Sequence, residues 1–166
     1  DHVVFDNNSF PGSNQTVTLN ILAEISNMTW TSGVNASPNF SGSQNLILNG
    51  DLTISGTMDW ILNGGLTLRK SIVLSSGVNW SHANLVTFSG TTSGNVINMA
   101  GKTFSNAVLF DNPGNSSSGS WTLASNFSVS NSYYTEFRDA GFISNGFSVN
   151  FGDYFNASLD VPKVLN

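Results

Sequence analysis

Cysteine is absent from these 166 residues, proline occurs four times, and only 9% of the chain is charged. The first absence excludes disulfide staples and cysteine-ligated zinc, but it does not fix the compartment. The charge content lies far below the roughly 25% of ordinary soluble domains. Five Lys plus Arg stand against ten Asp plus Glu, a net charge of −5. Such a chain has no basic stripe for nucleic acid and no polybasic cluster to hold an anionic membrane. Long apolar runs are missing too. Val17 to Ile25 is broken by polar residues, so nothing nears the roughly 18 residues of a transmembrane helix. Good helix formers are scarce, and no stretch carries apolar residues at helical spacing free of Gly and β-branched breaks.

Asn, Ser, Thr and Gly take the place of charge, together with 12 Phe, 4 Trp and 3 Tyr. Disordered chains lack aromatic and β-branched residues, so the composition indicates a folded β protein with a neutral polar surface. Short β-rich runs recur between Gly, Asn, Ser and Pro punctuation. They predict strands at Val3–Phe5, Val17–Leu22, Asn45–Leu48, Leu52–Ser55, Met58–Leu62, Leu66–Leu68 and Ile72–Leu74. Further strands are predicted at Leu85–Phe88, Asn95–Met99, Ala107–Phe110, Trp121–Leu123, Phe127–Val129, Tyr133–Phe137, Gly141–Ser144 and Gly146–Phe151.

Several of these runs repeat at an offset of 20: Met58-Asp59-Trp60 on Val78-Asn79-Trp80, Phe127-Ser128-Val129 on Phe147-Ser148-Val149, and Tyr134 on Tyr154. Periods of roughly 20 to 50 residues mark stacked architectures, in which no unit can bury its apolar face alone. Low charge agrees, since stacked like charges repel while stacked Asn, Ser and Thr form ladders. The fold class expected is all-β: a right-handed parallel β-helix or related β-solenoid, with Phe127 lying on Phe147. A rod of about seven or eight coils would be roughly 35–40 Å long at ~4.8 Å per coil. An antiparallel β-sandwich is the alternative, because Asn49-Gly50 and Asn63-Gly64 are hairpin-turn dipeptides. Alternation predicts inward side chains that include Ile21, Leu46, Leu48, Leu66, Leu68, Leu85, Val96, Phe110, Phe127 and Phe147. No linker is visible, so residues 1–166 read as one domain. Its opening on a strand already under way suggests a segment of a longer polypeptide, with one or both ends abutting more protein.

The order Asp1-His2-Val3-Val4-Phe5-Asp6, Thr16-Val17-Thr18-Leu19, Met28-Thr29-Trp30, then Gly50-Asp51-Leu52-Thr53-Ile54 resembles a known type of segment. It is found in very large surface and adhesin-like proteins of Bacteroidetes-type bacteria. Gly101-Lys102-Thr103-Phe104, Val108-Leu109-Phe110 and Ser120-Trp121-Thr122-Leu123 extend the resemblance over most of residues 1–151. The resemblance implies a β-solenoid module inside a longer secreted or cell-surface protein, exported by the type IX route.

Chemistry is thinly spread. On a strand, Tyr134, Glu136 and Arg138 point one way, with Asp139 following. That strip could hold an acidic sugar or support proton abstraction, but an exposed ion pair is the commoner role of such residues. Trp60 and Trp80 share a repeat position and suit either core packing or a platform for sugar rings. Asp51, Asp59, Asp111, Asp139 and Asp153 are scattered, with no spacing that demands a catalytic carboxyl pair. Oxygen ligands at Asp6-Asn7-Asn8 or Asp111-Asn112 suit Ca2+, but no calcium-binding repeat is present. His2 and His82 belong to no zinc motif. No cofactor is expected. Asn14, Asn27, Asn35, Asn39, Asn79, Asn115, Asn126 and Asn156 open glycosylation-type triplets, read here as turn and ladder residues. The sequence thus points to a non-enzymatic structural or adhesive module of a surface filament. Its expected partners are flanking protein, further copies and surface glycans. The alternative is a β-helix that binds or cleaves carbohydrate.

Overall fold

A computed structural model describes residues 1–6, 8–10, 12, 14–31, 38–112 and 119–157. Every strand pairing in it is parallel, which removes the antiparallel alternative. The chain climbs as a β-solenoid in rungs of three faces. The first rung is β1 (His2–Phe5), β2 (Thr16–Leu19) and β3 (Ala23–Ile25); the second is β4 (Asn27–Trp30), β5 (Asn39–Gly42) and β6 (Leu46–Leu48). The third is β7 (Leu52–Ile54), β8 (Met58–Leu62) and β9 (Leu66–Leu68); the fourth is β10 (Ile72–Leu74), β11 (Val78–Trp80) and β12 (Val86–Phe88). The fifth has β13 (Asn95–Asn98), a one-residue bridge at Phe104, and β14 (Val108–Phe110). The last two are β15 (Ser120–Leu123), β16 (Phe127–Ser128), β17 (Tyr134–Phe137) and β18 (Gly141–Ile143), β19 (Val149–Asn150), β20 (Tyr154–Ala157).

First strands of the rungs form a seven-stranded leading sheet, and last strands a seven-stranded trailing sheet. The middle face is a four-stranded sheet through β11, reduced beyond it to the Phe104–Val129 bridge and the β16–β19 pair. Seven rungs make six full turns among the described residues, a rise of roughly 30 Å at ~4.8 Å each. The expectation of seven or eight coils assumed a constant 20-residue rung. Rungs are in fact 20 to 27 residues long, as Leu46↔Leu66 and Val108↔Thr135 show.

Alternation makes the core. Leu46, Leu48, Leu66, Leu68, Val86 and Phe88 are buried, while Ile47, Thr67 and Thr87 between them face outward. Stacked rungs bring these into columns, Leu46 on Leu66 on Val86, and the buried residues from Phe10 to Phe142 form one continuous cluster. Each fully buried aliphatic or aromatic side chain contributes about 1.5–3 kcal/mol.

Four expected inward positions differ. Ile21 is 69% exposed because β2 stops at Leu19. Leu85 and Val96 are one residue out of phase: Phe88 and Ile97 set the alternation, so Val86 and Asn95 point inward. Phe127 lies on Val149 and not on Phe147, which is 37% exposed. The cause is a turn in which the Phe147 N–H donates to the Ser144 carbonyl, with Asn145 and Gly146 at positive φ. It lengthens that rung to 22 residues. Tyr134↔Tyr154 and Trp60↔Trp80 keep the offset of 20.

The Asn-Gly dipeptides are corners. A side chain at Gly64 would collide with the Gln44 carbonyl of the rung beneath, and one at Gly50 with Ser26 and Asn27. Glycine there permits close stacking of backbones. Short polar side chains complete the corners as ladders. The Asp51 N–H donates to Asn27 Oδ1 (2.8 Å), the Ser71 N–H to Asp51 Oδ1 (3.0 Å), and the Val96 N–H to Ser71 Oγ (3.0 Å).

Candidate functional site

The outer side of the trailing sheet brings together Tyr134, Glu136 and Arg138. Glu136 sits mid-strand on β17, and Arg138 follows at the corner. Arg138 donates from Nε to Glu136 Oε1 (2.9 Å) and from Nη1 to Asp111 Oδ2 (3.2 Å). Glu136 first, then Asp111, raise the Arg138 pKa above its usual value. Asp111 occupies the corner one rung below, 27 residues back in the chain. No sequence spacing linked it to Arg138, because the intervening corner is long. Tyr134 stacks on Tyr154 with ring centroids 4.8 Å apart and Tyr154 half exposed.

Asp139 stands apart. It is buried, its carbonyl accepts from Asn112 Nδ2 (2.5 Å), and among the described residues it shares no ion pair with Arg138. Asp139 and Asp153 flank opposite ends of the trailing strands, Asp139 after β17 and Asp153 before β20. The strip is therefore an acid–base–acid triad of two ion pairs beside two tyrosines, and its carboxylates are already engaged.

Trp60 and Trp80 lie inside the solenoid. Phe40, Trp60 and Trp80 stack along the inner side of the middle face, with centroids 4.7 and 5.3 Å apart. Trp60 is fully buried and Trp80 7% exposed. They cannot offer a ring face to a sugar, which corrects the platform reading. Alternation alone could have shown this, since Met58, Trp60 and Leu62 share one side of β8 with buried neighbours.

His82 is also buried, with its ring 5.6 Å from that of Trp80 and no well-formed hydrogen bond at either nitrogen among the described residues. Burial lowers its pKa to about 4, with the carbonyls of Leu85 and Leu62 offsetting a part. It is neutral at pH 7. His2 is exposed at Thr29 Oγ1, 2.9 Å away.

Of the two calcium candidates, Asp6 closes its own turn: its Oδ1 accepts the N–H groups of Asn8 (2.9 Å) and Ser9 (3.1 Å) and the Ser9 hydroxyl (3.0 Å). These bonds lower its pKa. Asn7 lies outside the described residues, and Asp111 is paired with Arg138. Among the described residues no three His, Asp or Glu side chains cluster as a metal site.

A second feature escaped sequence reading. Asn49, Arg69, Lys70, Ser89, Thr91 and Thr92 line an open groove of about 400 Å³ where the trailing face turns into the leading face. The usable signal was the repeat itself, since Asn49, Arg69 and Ser89 follow at steps of 20 and begin successive corners. Compared with protein-family models, with curated proteins and with solved structures, the chain matches none of them.

Proposed function

We propose that this chain is a structural and adhesive module of an extracellular or cell-surface filament protein, acting without catalysis. The observation that carries the reading is the single core running the height of seven rungs, with parallel strand pairing directed along one axis. Such a rod bears load along its length and presents flat lateral faces, here coated with neutral Thr, Ser and Asn. The edge strands β1 and β20 suit pairing with flanking protein or further copies. Surface location and type IX export rest on the sequence resemblance. No helix of the described residues is long and apolar enough to cross a membrane.

A carbohydrate-binding or carbohydrate-cleaving role is the second reading, favoured by the half-exposed Tyr134–Tyr154 pair beside Glu136, Arg138 and Asp111. One experiment separates the module from a carbohydrate-cleaving enzyme. Antibody against the domain is applied to intact source cells, and the purified chain is incubated with acidic and neutral polysaccharides while reducing ends are assayed. Surface labelling without new reducing ends supports the module. Cleavage by the parent that disappears in Glu136→Gln would replace it with the second reading.

A further inference from the structure

We infer that the groove at the trailing-to-leading corner is a binding site for an acidic polysaccharide, one whose sugar rings carry carboxylate or sulfate groups. The inference deepens the adhesive part of the reading above, on which it rests.

The groove arises from a change in corner length. The corners after β6 and β9 have three residues each, 49–51 and 69–71, whereas the corner after β12 has six, 89–94. The longer corner projects past the shorter one beneath and makes a ledge. Its floor is fixed. The buried Trp121 donates from Nε1 to the Lys70 carbonyl (3.1 Å), across 51 residues of sequence. Gly90 packs directly on the Arg69 carbonyl, where a side chain would collide. A ligand would therefore meet a preformed backbone, which lowers the entropy cost of binding.

The lining chemistry is specific in kind. Arg69 and Lys70 supply two adjacent cations in a chain of net charge −5. Arg69 is held by Asn49 Oδ1 (2.5 Å) and lies 3.7 Å from Glu24, which leaves its side chain 45% exposed. Lys70 makes no ion pair among the described residues, unlike Arg138 with its two carboxylates. The remaining lining groups are the Asn49 amide and the hydroxyls of Ser89, Thr91 and Thr92. No carboxylate is among the described lining residues, but Glu24 Oε1 lies next to them, accepting from Asn49 Nδ2 (3.0 Å) and pairing with Arg69. The local surplus is therefore the single positive charge of Lys70, which still favours an anion. An ammonium unpaired among the described residues, beside a half-exposed guanidinium and over the hydroxyls of Ser89, Thr91 and Thr92, matches a negative group carried on a polyol. Among the described residues no aromatic ring lines the groove to stack on a neutral sugar. Without an aromatic lining residue the groove also has no platform on which nucleic-acid bases could stack. A volume near the low end of small-molecule sites (roughly 300–1,000 Å³), open on one side, suits one stretch of an extended chain.

The test is electrophoresis of the intact chain in native gels cast with polygalacturonate, dextran sulfate or neutral dextran. Retardation by an acidic polymer and none by dextran is expected, and the polygalacturonate and dextran sulfate lanes tell carboxylate from sulfate. The double variant Arg69→Gln, Lys70→Gln should weaken retardation at least tenfold. Thr92→Val should weaken it severalfold, which a bare patch of charge would not show. Lys102→Gln should match the parent, and all variants should keep the parent's urea midpoint. The proposal is overturned by no retardation on either acidic polymer, by an undiminished double variant, by an unaffected Thr92→Val, or by equal binding of a single-stranded oligonucleotide. Failure of the groove leaves surface labelling of intact cells unchanged, so the two proposals fail separately.

Discussion

From Leu46 to Phe88 the rungs repeat every 20 residues on all three faces, whereas from Asn95 to Ala157 they vary between 20 and 27. The regular coils have a true middle sheet, and their trailing columns are mostly aliphatic, Leu46 on Leu66 and Leu48 on Leu68. In the later coils the middle face shrinks to one or two residues per rung. Aromatic rings, confined in the regular coils mainly to the Phe40–Trp60–Trp80 stack of the middle face, here fill the leading and trailing columns as well. Phe88, Phe110 and Phe137 stack at 4.8 and 4.4 Å, and Trp121, Phe127 and Phe142 meet Phe110 at interplanar angles of 68°, 47° and 79°. The contrast teaches that register along the axis is held by side-chain columns and parallel pairing, while chain length per rung is free. Extra residues leave at corners, where backbone can be solvated. Where backbone pairing is short, ring packing carries more of the cohesion.

The largest effect should separate the two regions directly. Phe110→Ala removes a ring from the centre of the later coils and should cost about 4 kcal/mol, against about 3 kcal/mol for Leu68→Ala in the regular coils. Urea unfolding of both variants measures this, and a larger cost at Leu68 would break the comparison.

His82 sits at the boundary, between β11 and β12. Its folded pKa of about 4 lies below the ordinary 6.5. The unfolded chain therefore binds a proton first as pH falls. The stability from a neutral His82 is complete above about pH 6.5 and declines down to about pH 4, by about 3 kcal/mol in all. In His82→Leu that part of the pH dependence should vanish, with urea midpoints between pH 4 and 6.5 varying less than the parent's. An unchanged slope would show that the imidazole is solvated in the native state.

The smallest effect concerns the exposed strip on the later coils. Arg138 is about half exposed, and exposed ion pairs contribute about 0–1 kcal/mol. Glu136→Gln should shift the urea midpoint by less than about 1 kcal/mol equivalent. A larger loss would mean that charge, besides rings, holds these coils together.

Much of this contrast was legible. Met58–Leu62, Leu66–Leu68 and Ile72–Leu74 follow the alternation as read, because uninterrupted 20-residue rungs keep pattern and register in step. Strands such as Tyr154–Ala157 and Asn39–Gly42 were not predicted, since Asn39–Gly42 carries a single apolar residue and Tyr154–Ala157 lacks a strict apolar–polar alternation. Of the candidate strip, the repeat fixed the Tyr134–Tyr154 stack, but Asp111 came from a 27-residue rung that no period announces.

The amino-acid order by itself determined an all-β, stacked architecture. Low charge permits like-on-like stacking, missing helix periodicity leaves strands, and period-two alternation selects the buried side. The tertiary structure alone decided which residues meet across rungs: Val149 over Phe127, Asp111 beside Arg138, and Lys70 held by Trp121. The physical reason is that corners add or drop residues at little cost. Contacts between rungs therefore depend on cumulative corner lengths, which local sequence does not encode.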